Sequence, residues 1–206
     1  MNILIFGANG NIGTRVVFLL LNNGHNVKAF VHGASQLPEH ELLTTITGDV
    51  RNANDVESAL SGVDVVISTL GSWGTKSKDI LSTGMQVIIP VMEKAGIKRI
   101  VSLTGSGVLL PTDKVAWYDQ LNPLLLKFIG PKILIDGERH MQALSKSNLD
   151  WTVLRSPVMK NGAKQGYTLR ETPPLLWKRA VRDDVAQAMV DLAISNDHVK
   201  QAPFLG

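Results

Sequence analysis

The chain has 206 residues, 44% of them hydrophobic and 19% charged, a balance that suits a globular protein with one sizeable core. It has no cysteine, which excludes disulfides and thiolate metal sites and fits a reducing compartment. The net charge is +3, but lysines and arginines are scattered among acids, so the basic clustering of a nucleic-acid surface is missing. No basic region precedes the first apolar run, and the run at 16–21 is too short to span a bilayer. A cytoplasmic protein without a membrane or direct nucleic-acid partner is expected.

Residues 3–6 form an apolar run of strand length, stopped by Gly7. Ile12, Val16, Leu19 and Leu20 then recur at helical spacing as far as Asn22-Asn23-Gly24. A second strand is predicted at 27–31. A loop containing Pro38 leads to a third around 43–47. Residues 55–60 read as a short helix, with Asn52 or Asn54 as its cap, and 63–69 as a β-branched fourth strand. Ile80, Val87, Ile88, Val91, Met92 and Ala95 share one face of a longer helix. Gly96 suits its end, and Pro90 is expected to kink it. Residues 99–103 give a fifth strand. The stretch 105–132 has no clean period. A helix at 133–147, a strand at 151–154, a helix at 183–194 and a short strand at 203–205 complete the chain.

Strands alternating with helices, with near-continuous apolar strands, predict an α/β doubly wound parallel sheet covered on both faces. No repeat or linker interrupts it, so residues 1–206 are expected to form one domain. The segments 105–132 and 160–178 are expected to build a small substrate-facing lobe.

The loop Gly7-Ala8-Asn9-Gly10-Asn11-Ile12-Gly13 joins the first strand to the first helix. A helix N-terminus offers unpaired amides and a partial positive charge, which a pyrophosphate satisfies. Glycine is needed where the backbone turns sharply and where a side chain would strike the phosphate. The spacing is G-x-x-G-x-x-G rather than G-x-G-x-x-G. The strand before it and the helix after it point to a bound dinucleotide.

This loop resembles that of the atypical short-chain dehydrogenases/reductases, and more narrowly of the NmrA-like and biliverdin reductase B (flavin reductase) group. Gly48-Asp49-Val50 is similar to that family's segment at the adenine ring, and Thr69-Leu70-Gly71 to its strand-four exit. Thr104-Gly105-Ser106 resembles its strand-five exit, and Trp151 to Pro157 its strand beside the nicotinamide. Val181-Arg182-Asp183-Asp184-Val185-Ala186 resembles the start of its last helix. The resemblance implies an NAD(P)-binding Rossmann fold. It also implies cofactor contacts from Gly7, Asn9, Gly10, Asn11, Ile12, Gly13, His32, Asp49, Val50, Thr69, Leu70, Gly71, Thr104, Ser156 and Pro157.

No acid follows the second strand until Glu39. A carboxylate for the ribose 2′-OH is therefore missing, which favours NADP, with NAD as the alternative. The resembling family often has Arg where this chain has His32, and His offers fewer donors to a phosphate.

Short-chain reductases of the usual kind protonate a substrate oxygen with Tyr, helped by Lys four residues on. Here Tyr118 is followed at that spacing by Asn122, Tyr167 by Glu171, and Lys132 is preceded by Phe128. Two readings follow. One is an NADPH-dependent reductase passing hydride to a flavin, quinone or similar planar small-molecule acceptor, with Thr104 and Ser106 as candidate catalytic groups and Trp73 stacking on the substrate. The other is a non-catalytic NmrA-like regulator that senses NADP or redox state and acts through a protein partner. Val158 stands where the flavin-reductase group typically has His. The five histidines show no metal-ligand spacing, so no metal site is expected. Glu138, Arg139 and His140 are expected on an exposed or half-buried helix face. Trp73, where it does not stack on the substrate, is expected with Trp117 and Trp177 to pack in the lobe, and Trp151 in the core.

Overall fold

The computed structural model describes residues 1–73, 75, 77–114, 130–175, 177–195 and 197–206. The apolar runs become β1 (Asn2–Phe6), β2 (Asn26–Val31), β3 (Leu43–Thr47), β4 (Val65–Ser68), β5 (Arg99–Gly105) and β6 (Asp150–Ser156). They lie in the order β3-β2-β1-β4-β5-β6 and are all parallel. Short strands extend one side. β7 (Val158–Lys160) pairs with β9 (Arg179–Val181) apart from the main sheet. β10 (Phe204–Leu205) runs parallel to β6, and β8 (Leu169–Arg170) runs antiparallel to β10.

The helices are α1 (Gly13–Asn22), α2 (Ala53–Leu60), α3 (Ile80–Ala95), α4 (Pro131–Ser145) and α5 (Arg182–Ile194). The period-two direction of the strands sends Ile3 and Ile5 into a core with α1 and α5. Leu4 and Phe6 enter the opposite core, with α2, α3 and α4. Both faces of the central strands are thus covered, which is why their sequences are apolar throughout. The strand order reverses between β1 and β4. Ligands of such sheets bind at the carboxyl edge beside that reversal.

The termini follow local chemistry. The Asn52 side chain accepts from the Asn54 amide at 3.0 Å and caps α2. α3 continues through Pro90 to Ala95. It ends at Gly96, whose φ of 73° lets Ile97 N return to Met92 O at 3.0 Å. α4 starts at Pro131, two residues earlier than its apolar period indicates, because proline suits the first helical turn. β8 lies within the segment 160–178 and the β7–β9 pair brackets it; all three strands are too short to leave a sequence period.

The N-terminus of α3 has no side-chain cap of its own. The buried Asp136 of α4 serves instead. It accepts from Leu81 N at 3.1 Å and Ser82 N at 2.8 Å, and from the Ser72 hydroxyl. A carboxylate at a helix N-terminus is favoured by both hydrogen bonding and the helix dipole. Asp136→Ala leaves these buried donors unmatched and is expected to destabilise the fold by about 3 kcal/mol. Urea unfolding monitored by circular dichroism checks this through a lower midpoint at unchanged slope.

Candidate functional site

The glycine loop is built by close approach. Gly7 has φ of +80°, and a Cβ there would lie 3.0 Å from the Thr69 carbonyl carbon. A Cβ at Gly13 would lie 2.2 Å from Gly7 O and 2.8 Å from both Ala8 Cα and Thr69 Oγ1. Neither position tolerates a side chain. Gly10 N donates to Gly7 O at 2.9 Å, and Thr69 Oγ1 donates towards Phe6 O and Gly7 O at 3.0 and 3.1 Å. The β4 exit therefore clamps the β1 exit.

The loop delivers α1 with an open end. Ile12 occupies the cap position and its side chain makes no capping bond, and the first turn holds no acid. Among the described residues, the amides of Asn11, Ile12 and Gly13 have no acceptor. Unpaired donors at a positive helix end, behind a glycine cradle, fit the pyrophosphate of a dinucleotide. Arg15 lies one turn in. It donates to Asn11 O at 2.6 Å and pairs with Asp183 of α5 at 2.5 Å.

The other sequence-derived residues gather at the same edge. Asn9 reaches across to the loop after β2, donating to Ala34 O at 2.8 Å and accepting from Gln36 N at 3.2 Å. It thereby ties the phosphate loop to the loop containing exposed His32. Asp49 is half-buried. Its amide donates to Asp55 Oδ2 and its side chain accepts from Arg51 N, each at 2.9 Å. Val50 and Leu70 come together over Gly84 of α3, at 3.6 and 3.0 Å from where a Cβ would stand. Gly71 follows, exposed. Thr104 and Ser106 lie at the β5 exit and Ser156 and Pro157 at the β6 exit, all buried. Ser106 N donates to Ser156 O at 2.8 Å.

α4 crosses the β5 exit at Gly137. A Cβ there would stand 3.0 Å from Thr104 Oγ1 and 2.6 Å from Val108. The helix backbone thus covers Thr104 directly. Trp73 is 65% exposed and Trp177 76% exposed, so neither packs into the lobe. Trp73 follows the β4 exit, and its ring lies 3.9 Å from where a Cβ on Gly130 would stand. Trp151 is in the core, as its strand position implies. Trp117, Tyr118, Asn122 and Phe128 lie outside the described residues, as does the 115–129 part of the irregular stretch.

His140 corrects the sequence reading. Glu138 and Arg139 are exposed, but His140 is fully buried. It lies one turn beyond Asp136, on the α4 stripe that holds Gly137 and Met141 against the sheet. Its Nε2 hydrogen-bonds Ser102 Oγ of β5 at 2.8 Å. Among the described residues, its Nδ1 and the Ser68 hydroxyl are buried without partners. Loss of solvent pushes the His140 pKa down to about 4, against an opposing pull from the Asp136 charge.

Two further features escaped sequence reasoning. Asp136 is one. The other is Arg155, buried at the end of β6 and paired with Asp113. An arginine inside a buried strand requires a buried partner, and that was the available signal.

Residues 7–196 match the family described as NAD(P)H-binding. The chain belongs to that family. It is 27% identical over 202 residues to YhfK of Bacillus subtilis, an uncharacterized sugar epimerase, covering 92% of this chain and 86% of that protein. It is 27% identical over 138 residues to a 3-beta-hydroxysteroid dehydrogenase of Mycolicibacterium neoaurum, covering 61% of this chain but only 38% of that protein. The chain thus spans well under two thirds of that dehydrogenase's length. Among solved structures, it superposes on a short-chain dehydrogenase/reductase from Veillonella parvula in complex with NADP, with a TM-score of 0.81 and 20% identity, covering 100% of this chain and 94% of the other. It superposes on ChuY, an anaerobilin reductase of Escherichia coli O157:H7, with a TM-score of 0.78 and 22% identity, covering 100% and 96%. At these identities the structures establish the Rossmann-like fold. Together with the family match, the chain is an NAD(P)H-binding protein with that fold. Among the described residues, no helix is long and apolar enough to cross a membrane.

The buried His140 has a stability signature. Unfolding restores its ordinary pKa, 6.5, above the folded value of about 4. The unfolded chain therefore binds the extra proton, and the contribution is lost as pH falls through that window. Between pH 7 and 4 the wild type is expected to lose up to about 3 kcal/mol more stability than His140→Gln. Urea unfolding of both proteins across that range measures the difference.

Proposed function

We propose that the protein is an NADPH-dependent reductase of a planar small-molecule acceptor, such as a flavin or a quinone. The observation that carries this reading is the uncapped N-terminus of α1 behind the Gly7–Gly13 cradle. A dinucleotide would be held by the amides of Asn11, Ile12 and Gly13, with Val50 and Leu70 beside the adenine and Ser156 and Pro157 near the nicotinamide. The bound cofactor supplies a hydride; the protein supplies position and exclusion of water. Trp73, exposed beside the β4 exit, offers a flat apolar face to a planar ring. Thr104 and Ser106 would orient groups at the β5 exit, although both are largely covered.

The preference for NADP rests on the loop after β2. It carries no acid before Glu39, and Asn9 holds it against the glycine loop. His32 stands free at the surface there to meet a 2′-phosphate. The setting that fits this chemistry is the cytoplasm, with a small-molecule acceptor as partner.

A second reading, binding without turnover in a redox-sensing regulator with a protein partner, is favoured by one feature. α4 passes over Thr104 at a glycine, so no α4 side chain reaches the β5 exit at that point.

The purified protein is expected to bind NADPH more tightly than NADH, and His32→Arg to widen that gap by about tenfold. NADPH oxidation is expected to exceed the acceptor-free background when FMN or a quinone is added. Tight NADPH binding with no acceptor-dependent oxidation would transfer the assignment to the sensor reading.

A further inference from the structure

Arg155, the next-to-last residue of β6, is buried, and its counter-charge comes from a loop. Its Nη1 and Nη2 donate to Asp113 Oδ2 and Oδ1 at 2.5 and 2.7 Å, a bidentate pair. Nη1 also donates to Val108 O at 3.1 Å, and Nε donates to Ala202 O at 2.8 Å. The guanidinium carbon lies 3.6 Å from the centre of the Phe204 ring. The two charged side chains are 3% and 6% exposed. Asp113 also closes a turn in its own loop: its Oδ2 accepts from Leu110 N at 2.6 Å, and its amide donates to Leu110 O at 3.0 Å.

A buried ion pair adds little net stability over a well-packed apolar pair, because both charges lose their water. What the pair does supply is one permitted geometry, since moving the loop would strand a charge. The loop is fastened to β6 at three points, Ser106 N to Ser156 O, Val108 O to Arg155 and Asp113 to Arg155. A further tie, Lys114 to Glu171, is solvent-exposed and is screened. The strand end that Arg155 occupies continues directly into Ser156 and Pro157, at the edge where the cofactor is placed.

We propose that Arg155 and Asp113 form a latch that positions residues 106–114 against the end of β6 and so sets the wall facing the acceptor. They act as positioning residues and touch neither acceptor nor cofactor. The acceptor part rests on the reductase reading above; the latch itself does not.

The test uses the full chain in three variants. Asp113→Asn keeps the shape and removes the charge. Asp113→Glu restores the charge on a longer stem. Arg155→Lys keeps the charge but lacks the planar fork that serves two carboxylate oxygens and two carbonyls together. In Asp113→Asn and Arg155→Lys, amide hydrogen exchange at 106–114 is expected to rise about tenfold, with exchange in α1 and the Kd for NADPH within about twofold of wild type. With FMN as acceptor, KM is expected to rise about tenfold with a smaller change in kcat. Asp113→Glu is expected to recover part of both effects. Unchanged exchange at 106–114 would overturn the latch. Faster exchange with an unmoved KM for FMN would overturn its role at the acceptor wall. A wild type that binds NADPH but transfers to no acceptor would refute the reductase reading and the acceptor wall with it, while loop exchange would still decide the latch.

Discussion

The approach of α1 to the ends of β1 and β4 is the constraint on which the site depends. Gly13 begins the helix so close to Gly7 O and Thr69 Oγ1 that no Cβ fits. That contact brings the helix N-terminus to the carboxyl edge of the sheet at the reversal of strand order. The helix end is then left uncapped by any side chain. Unsatisfied donors at a helix end are normally met by a cap, by water or by a ligand. Here the absence of a cap and the exclusion of side chains occur at the same place, and an anionic ligand answers both.

A second layer lies beneath that edge. Ser68 and Ser102 are register partners on β4 and β5, and both are fully buried. α4 places Asp136 and His140 over this region, one turn apart. Asp136 ties α4 to the start of α3 and to the loop after β4, while His140 ties it to β5. The loop that carries Trp73 therefore rests on a polar support rather than on apolar packing. The latch at Arg155 does the same on the far side of β5. Both loops flanking the candidate site are thus held by buried charged groups, which fix one geometry because alternatives leave a charge without a partner.

Much of this was legible in sequence. Apolar runs of strand length and helical stripes such as Ile80 to Ala95 encode the sheet and its cover, because burial on both faces forces that pattern. The glycine loop was legible for the same reason: steric exclusion leaves glycine as the only residue that fits. The short strands β7, β8 and β9 were not, since they are held by pairing across distant residues and are too short to show a period. His140 was misread as a surface residue because its neighbours Glu138 and Arg139 are charged, and only the α4 packing shows that it falls on the inner stripe. Asp136 and Asp113 look like ordinary surface acids until their partners at positions 81, 82 and 155 are brought to them by the fold. Trp73 and Trp177 were expected to pack, yet both stand in solvent, and nothing in a lone tryptophan's sequence context distinguishes the two cases.

The central claim is that a nicotinamide dinucleotide sits on the N-terminus of α1. The most direct measurement is amide hydrogen exchange of the protein with and without NADPH. Protection is expected at Asn11, Ile12 and Gly13, with weaker protection at residues 32–36 and at Asp49 and Val50. Saturating NADPH that leaves the amides of residues 9–13 unchanged would contradict the account.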